Sequence, residues 1–86
     1  MTRRKKLNLE IIKSNLSEAR KELEKLERKA ASGALEEVEL KIGLQHAYSH
    51  LNFSWNIRRI PTAQYASLTQ AEFDKWGRYP PEIESL

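Results

Sequence analysis

Seven apolar residues near the start of the chain, Leu9, Ile12, Leu16, Ala19, Leu23, Leu26 and Ala30, follow one another at alternating intervals of three and four. That spacing is a heptad seam sustained for three repeats, the pattern of an α-helix with one face against another helix. Good helix formers fill the positions between, among them Glu18, Arg20, Lys21, Glu22, Glu24, Lys25, Glu27 and Arg28. Asn8 is suited to cap the N-terminus, and Glu10 falls in the first turn, where the helix dipole favours a carboxylate. A helix is expected over about 9–31. Glu18–Glu22 and Lys21–Lys25 are like-charged neighbours at i,i+4, so the seam rather than ion pairing must hold it in place.

Such a seam serves either a parallel coiled-coil dimer or a hairpin within one chain. In a parallel, in-register dimer Glu22 would face Glu27 of the other copy, which repels. The heptads also stop at Ala31-Ser32-Gly33-Ala34, where Gly33 suits a left-handed turn. Glu36, Glu37 and Glu39 then crowd the start of a second helix, expected over about 35–59. Pro61 ends it by pushing Ile60 out of helical geometry. Two long helices and a short loop predict an all-α fold, an antiparallel helical hairpin over residues 7–60.

Helix two carries apolar residues on two faces. Leu35, Val38, Ile42, Phe53, Ile57 and Ile60 form one, and Leu40, Leu44, Ala47, Tyr48, Leu51 and Trp55 form the opposite one. A single neighbouring helix covers one stripe. The C-terminal segment, residues 61–86, offers a short helix over about 70–76. Thr69 and Glu72 make a capping box, Leu68 and Phe73 a hydrophobic staple, and Gly77 the stop, with extended Pro80-Pro81 beyond. That helix is too short to cover the whole of helix two. A homodimeric four-helix bundle is therefore the expected completion, with Leu40, Leu44, Tyr48, Leu51 and Trp55 as the partner face.

Composition narrows the function classes. The chain has 86 residues and no cysteine, which excludes disulfides, thiolate-bound metals and thiol nucleophiles. No apolar run approaches the roughly 20 residues of a membrane span, and polar residues break up Leu7 to Leu16 where a signal peptide would need apolar ones. A soluble, cytoplasmic protein is expected. The net charge of +3 resides in a flexible basic tail, residues 1–6: without Arg3, Arg4, Lys5 and Lys6 the body is slightly acidic. Nucleic-acid binding through that tail with Arg58 and Arg59 is therefore an alternative, and not the favoured one.

Between Ile42 and Ile57 the chain carries no formal charge, although charged residues make up 31% of the whole. This stretch is the best candidate for a site. Gln45, Ser49, Asn52 and Asn56 recur at four, three and four, forming a polar ridge suited either to a ligand or to register-fixing amide contacts. Gly43 inside a helix predicts close helix approach or a kink. His46 and His50 stand at i,i+4, the spacing of two ligands to one metal, but no carboxylate follows until Glu72. The bland reading is a pair of half-buried, hydrogen-bonded imidazoles, and no metal or cofactor is expected. Ser49 and Ser54 lack a nucleophile motif, and the glycines form no phosphate loop. These readings converge on a small non-enzymatic helical protein, most simply a homodimeric protein-interaction module. Nucleic-acid regulation is the first alternative; metal or small-ligand binding through His46 and His50 is the second.

Overall fold

The computed structural model describes residues 6–80; Arg3, Arg4 and Lys5 of the basic tail, and Pro81, lie outside them. Four helices follow in order: α1 (Leu9–Ala31), α2 (Glu37–Asn56), α3 (Thr62–Tyr65) and α4 (Gln70–Trp76). The two long helices pack as a hairpin, and the short ones fold against its open end in an elongated molecule of 55 × 31 × 23 Å.

Local chemistry sets each boundary. The Asn8 side chain accepts from the Ile11 N–H at 3.3 Å and starts α1. Gly33, at φ 75°, is the only described residue with positive φ and turns the chain after Ser32. Glu36 and Glu39 form a capping box at the start of α2, and Lys29 pairs with Glu39 across the turn. α2 ends at Asn56, three residues before the expected boundary. There Asn8 claims the backbone: its N–H donates to the Arg58 carbonyl at 2.6 Å and its amide to the Ile60 carbonyl at 2.8 Å. One residue thus caps α1 and fixes the turn that closes α2. The short α3, absent from the sequence reading, begins directly after Pro61. α4 carries both halves of its capping box, with Thr69 Oγ1 accepting from the Glu72 N–H at 3.1 Å. Gly77 caps it in a right-handed conformation, so its role there is not a left-handed turn.

The seam is where expectation and structure differ. The buried stripe of α1 is Ile11, Asn15, Ala19 and Leu26, while Leu9, Leu16 and Leu23 face outward. On α2 the buried residues are Gly43, Ala47, Asn52 and Phe53, and Val38 and Ile42, expected to share a face with Phe53 and Ile57, are about 60% exposed. The physical reason is close approach. A Cβ built on Gly43 would sit 2.6 Å from Leu26 Cδ2, so Leu26 occupies the space that any side chain at position 43 would need. Facing small residues, Ala19, Gly43 and Ala47, draw the helices together along a narrow line. Larger side chains are left on the shoulders.

Bulk is concentrated at the open end, where Ile11, Phe53 and Ile57 are buried and Ile60, Tyr65, Leu68 and Trp76 pack around them. Phe53 meets Phe73 with ring centroids 5.0 Å apart and planes tilted by 57°. That geometry contributes about 0.5–1.5 kcal/mol beyond area burial.

Gly43→Ala supplies a direct check. Helix propensity alone would make it stabilising by roughly 1 kcal/mol. Overpacking against Leu26 reverses the sign, and urea denaturation is expected to show a net loss of about 1–2 kcal/mol. A variant more stable than wild type would contradict the close approach.

Candidate functional site

Half of the α1 heptad, the residues spaced by seven, is left on the outside of the hairpin. Leu16 and Leu23 are nearly half exposed, at 47% and 44%. Beside them on α2 stand Leu40, Leu51 and Tyr48, all exposed, with half-buried Leu44 between. Leu16, Ala19, Arg20, Leu23, Glu24, Glu27 and Leu51 line a shallow groove of about 330 Å³ along this face. A hollow of about 190 Å³ adjoins it, walled by Leu23, Leu44, Ala47, Tyr48 and Leu51. Three of the five expected partner-face residues, Leu44, Tyr48 and Leu51, therefore line one apolar strip, to which α1 adds Leu16 and Leu23; a fourth, Leu40, is exposed one turn before Leu44 and lines neither hollow. The fifth, Trp55, is half-buried beneath its own arginine: the Arg58 guanidinium lies 3.8 Å from the Trp55 ring centroid. Arg58 also donates to the Trp55 carbonyl at 2.8 Å, while the buried indole N–H has no partner. Of the other basic candidates, Lys6 is exposed and Arg59 is half-buried.

The polar ridge divides in two. Asn52 donates to the Gly77 carbonyl at 2.7 Å. Asn56 donates to the Trp76 and Arg78 carbonyls at 2.7 and 2.9 Å. A helix end leaves carbonyls without partners, and two amides one turn apart on α2 satisfy those at the end of α4. Ser49 bonds back to the Gln45 carbonyl of its own helix at 3.0 Å, and Gln45 is exposed. Ser54 does the same with the His50 carbonyl, at 3.0 Å.

The histidines belong to a chain of polar contacts that crosses the hairpin. Asn15 is 1% exposed, and its amide N–H₂ donates to the Ile11 carbonyl at 3.0 Å. That orients its Oδ1 toward His50 Nδ1, 2.9 Å away, with the Tyr65 hydroxyl at 3.5 Å. His50 Nε2 lies 3.2 Å from His46 Nε2, and His46 Nδ1 lies 3.3 Å from Glu22 Oε2. An amide oxygen only accepts, so His50 carries its hydrogen on Nδ1. Burial holds the His50 imidazole below its usual range, assisted by neighbouring His46; Glu18 and Glu22 pull weakly the other way. Neither Asn15 nor Tyr65 belongs to a functional motif in the sequence. Asn15 gave a signal all the same: it is a short polar residue on a helix whose other polar positions are mostly charged.

Among the described residues no group of three or more His, Asp or Glu side chains is placed to hold a metal ion. No helix among them is long and apolar enough to cross a membrane. Comparison of the chain with protein-family models, with curated proteins and with solved structures yields no match.

Two outcomes follow from this geometry. Replacing Asn52 and Asn56 together by Ala should release α4, at about 1 kcal/mol per lost hydrogen bond. Hydrogen exchange should then accelerate across residues 62–80 and stay slow in α1. The second outcome concerns pH. His50 titrates below its ordinary 6.5 in the folded state, so the unfolded chain takes up the proton first. Its contribution is complete above pH 6.5 and is lost progressively as pH falls from there toward the folded value. Urea melts at about pH 7.5 and about pH 5.5 should show wild type weakening in acid. His50→Gln, which keeps a donor for Asn15, should weaken less over the same interval.

Proposed function

We propose that this protein is a non-enzymatic helical interaction module that works as a homodimer. The outer Leu16–Leu23–Leu44–Tyr48–Leu51 face of one hairpin packs on the same face of a second copy to complete a four-helix bundle. The observation that carries this reading is the seven-residue spacing of Leu9, Leu16, Leu23 and Ala30 along the outside of α1. A heptad position kept apolar over three repeats suits a helical neighbour running alongside. Within the chain that neighbour is missing, because α2 covers only the other half of the seam.

Charge supports a second copy and sets its direction. The rim of the groove is basic in the first half of α1, with Lys13 and Arg20, and acidic in the second half, with Glu24 and Glu27. Two such rims match when the copies run antiparallel about a two-fold axis, which brings the basic half of each beside the acidic half of the other. A parallel arrangement sets like charges side by side. The non-enzymatic part of the reading rests on Ser49 and Ser54, whose hydroxyls are both engaged by carbonyls of their own helix.

Sedimentation equilibrium at micromolar concentration is expected to give a particle of twice the 10.0 kDa chain mass. Leu23→Glu combined with Leu51→Glu should yield a folded monomer of unchanged helix content, since both side chains are already partly in water. A wild-type monomer across the concentration range would overturn the reading.

A further inference from the structure

The two imidazoles of α2 are held in an unusual way. Each has its Nδ1 turned to an oxygen on α1, His50 to Asn15 Oδ1 and His46 to Glu22 Oε2, and each has its Nε2 turned to the other. Asn15 Oδ1 fixes the His50 hydrogen on Nδ1, so His50 Nε2 carries an unshared pair and accepts from His46 Nε2 at 3.2 Å. A cation that takes the place of that bridging hydrogen meets two ring nitrogens already within reach of one ion, and leaves the His46 hydrogen on Nδ1, where Glu22 Oε2 lies 3.3 Å away.

We propose that His46 and His50 form a two-imidazole binding site for a divalent transition ion of the Zn²⁺, Ni²⁺ or Cu²⁺ class, with Asn15 and Glu22 as the acceptors that aim the rings. Imidazole nitrogen selects these ions over Mg²⁺ and Ca²⁺, which take oxygen ligands. An ion about 2.0–2.1 Å from each Nε2 would subtend an N–metal–N angle of about 100° across this gap, compatible with tetrahedral coordination. Histidines that ligate metals almost always pass their other N–H to a carboxylate or amide oxygen, which fixes tautomer and ring orientation. Both rings have such an acceptor here, supplied by the opposite helix. Glu22 is itself 85% shielded, with the Lys25 ammonium 3.8 Å away. No third protein ligand joins the pair among the described residues, so water completes the coordination shell and the site stays open.

The site is independent of the proposed dimer face. His46 lies about 160° around α2 from Tyr48, on the other side of the hairpin. It also ties ion binding to the fold, because its two aiming acceptors stand on α1 and its two ligands on α2. Bound metal therefore stabilises the hairpin by mass action.

Titration calorimetry of the full chain with Zn²⁺ alone, and with Mg²⁺ as the contrasting ion, tests this. The chain has only two histidines, which makes the assignment unambiguous. Wild type should take up one Zn²⁺ per chain and melt at a higher temperature in its presence, with no response to Mg²⁺. His46→Ala should abolish both effects while leaving the metal-free melt close to wild type, because that ring is more than half exposed. Glu22→Met should weaken Zn²⁺ binding about tenfold, as the loss of an aiming acceptor does. Three results would overturn the proposal: no saturable uptake at millimolar Zn²⁺, uptake undiminished in His46→Ala, or a Glu22→Met variant that binds as tightly as wild type.

Discussion

Two helices in contact share one seam, and most of this structure is a response to that restriction. A heptad helix carries two apolar positions per repeat, and a single antiparallel neighbour at close range covers about one of them. The seam of α1 therefore splits. One stripe, through Ala19 and Leu26, meets Gly43 and Ala47 at very short range, where even a methyl group on position 43 would collide with Leu26. The other stripe, Leu9, Leu16 and Leu23, is turned to water together with the leucines and tyrosine of α2. Tight packing in the middle of the hairpin and an apolar strip along its side have the same cause.

At the open end the helices need a different solution, because Phe53 and Ile57 are too large for that narrow line. The chain after Pro61 supplies it by folding back over them. Apolar burial from Tyr65, Leu68 and Trp76 drives this return, and directional polar contacts specify it. Asn8 ties the turn, Asn52 and Asn56 receive the end of α4, and Asn15 sits at the junction of α1, α2 and the Tyr65 hydroxyl. Amides suit this work: they donate and accept without charge, so they can be buried at the cost of hydrogen bonds alone. Here four asparagines do what a larger core would otherwise do by shape.

Much of this was legible in the sequence, for identifiable reasons. Helix ends were readable because Asn8, Gly33 and the Thr69–Glu72 box act on backbone groups within a few residues. Gly43 announced close approach because glycine in a helix interior needs a reason. The rotation of α1 was not legible. Leu9, Leu16 and Leu23 are as apolar as Leu26, and only the depth of the Leu26–Gly43 contact, a property of two segments together, decides which leucines go inside. The end of α2 escaped for a similar reason: the groups that stop it belong to Asn8, some fifty residues earlier. α3 escaped because four residues carry no periodicity. As for the candidate site, the His46–His50 spacing and the Asn52–Asn56 ridge were visible, and their partners were not. Asn15, Glu22 and the carbonyls after Trp76 become neighbours only once the hairpin closes.

The central claim is that the outer heptad stripe meets its own copy in the antiparallel sense. Because the chain has no cysteine, single spin labels can be placed cleanly, and distances between identical labels across the dimer read direction as well as association. If Arg20 faces Glu24 of the partner, the two-fold axis passes near position 22. At 1.5 Å per residue, labels at Glu24 are then offset along the axis by about 6 Å and labels at Lys13 by about 27 Å. The account predicts a short distance from Glu24→Cys and one markedly longer from Lys13→Cys. Equal distances at the two positions, or no dipolar coupling at either, would contradict it.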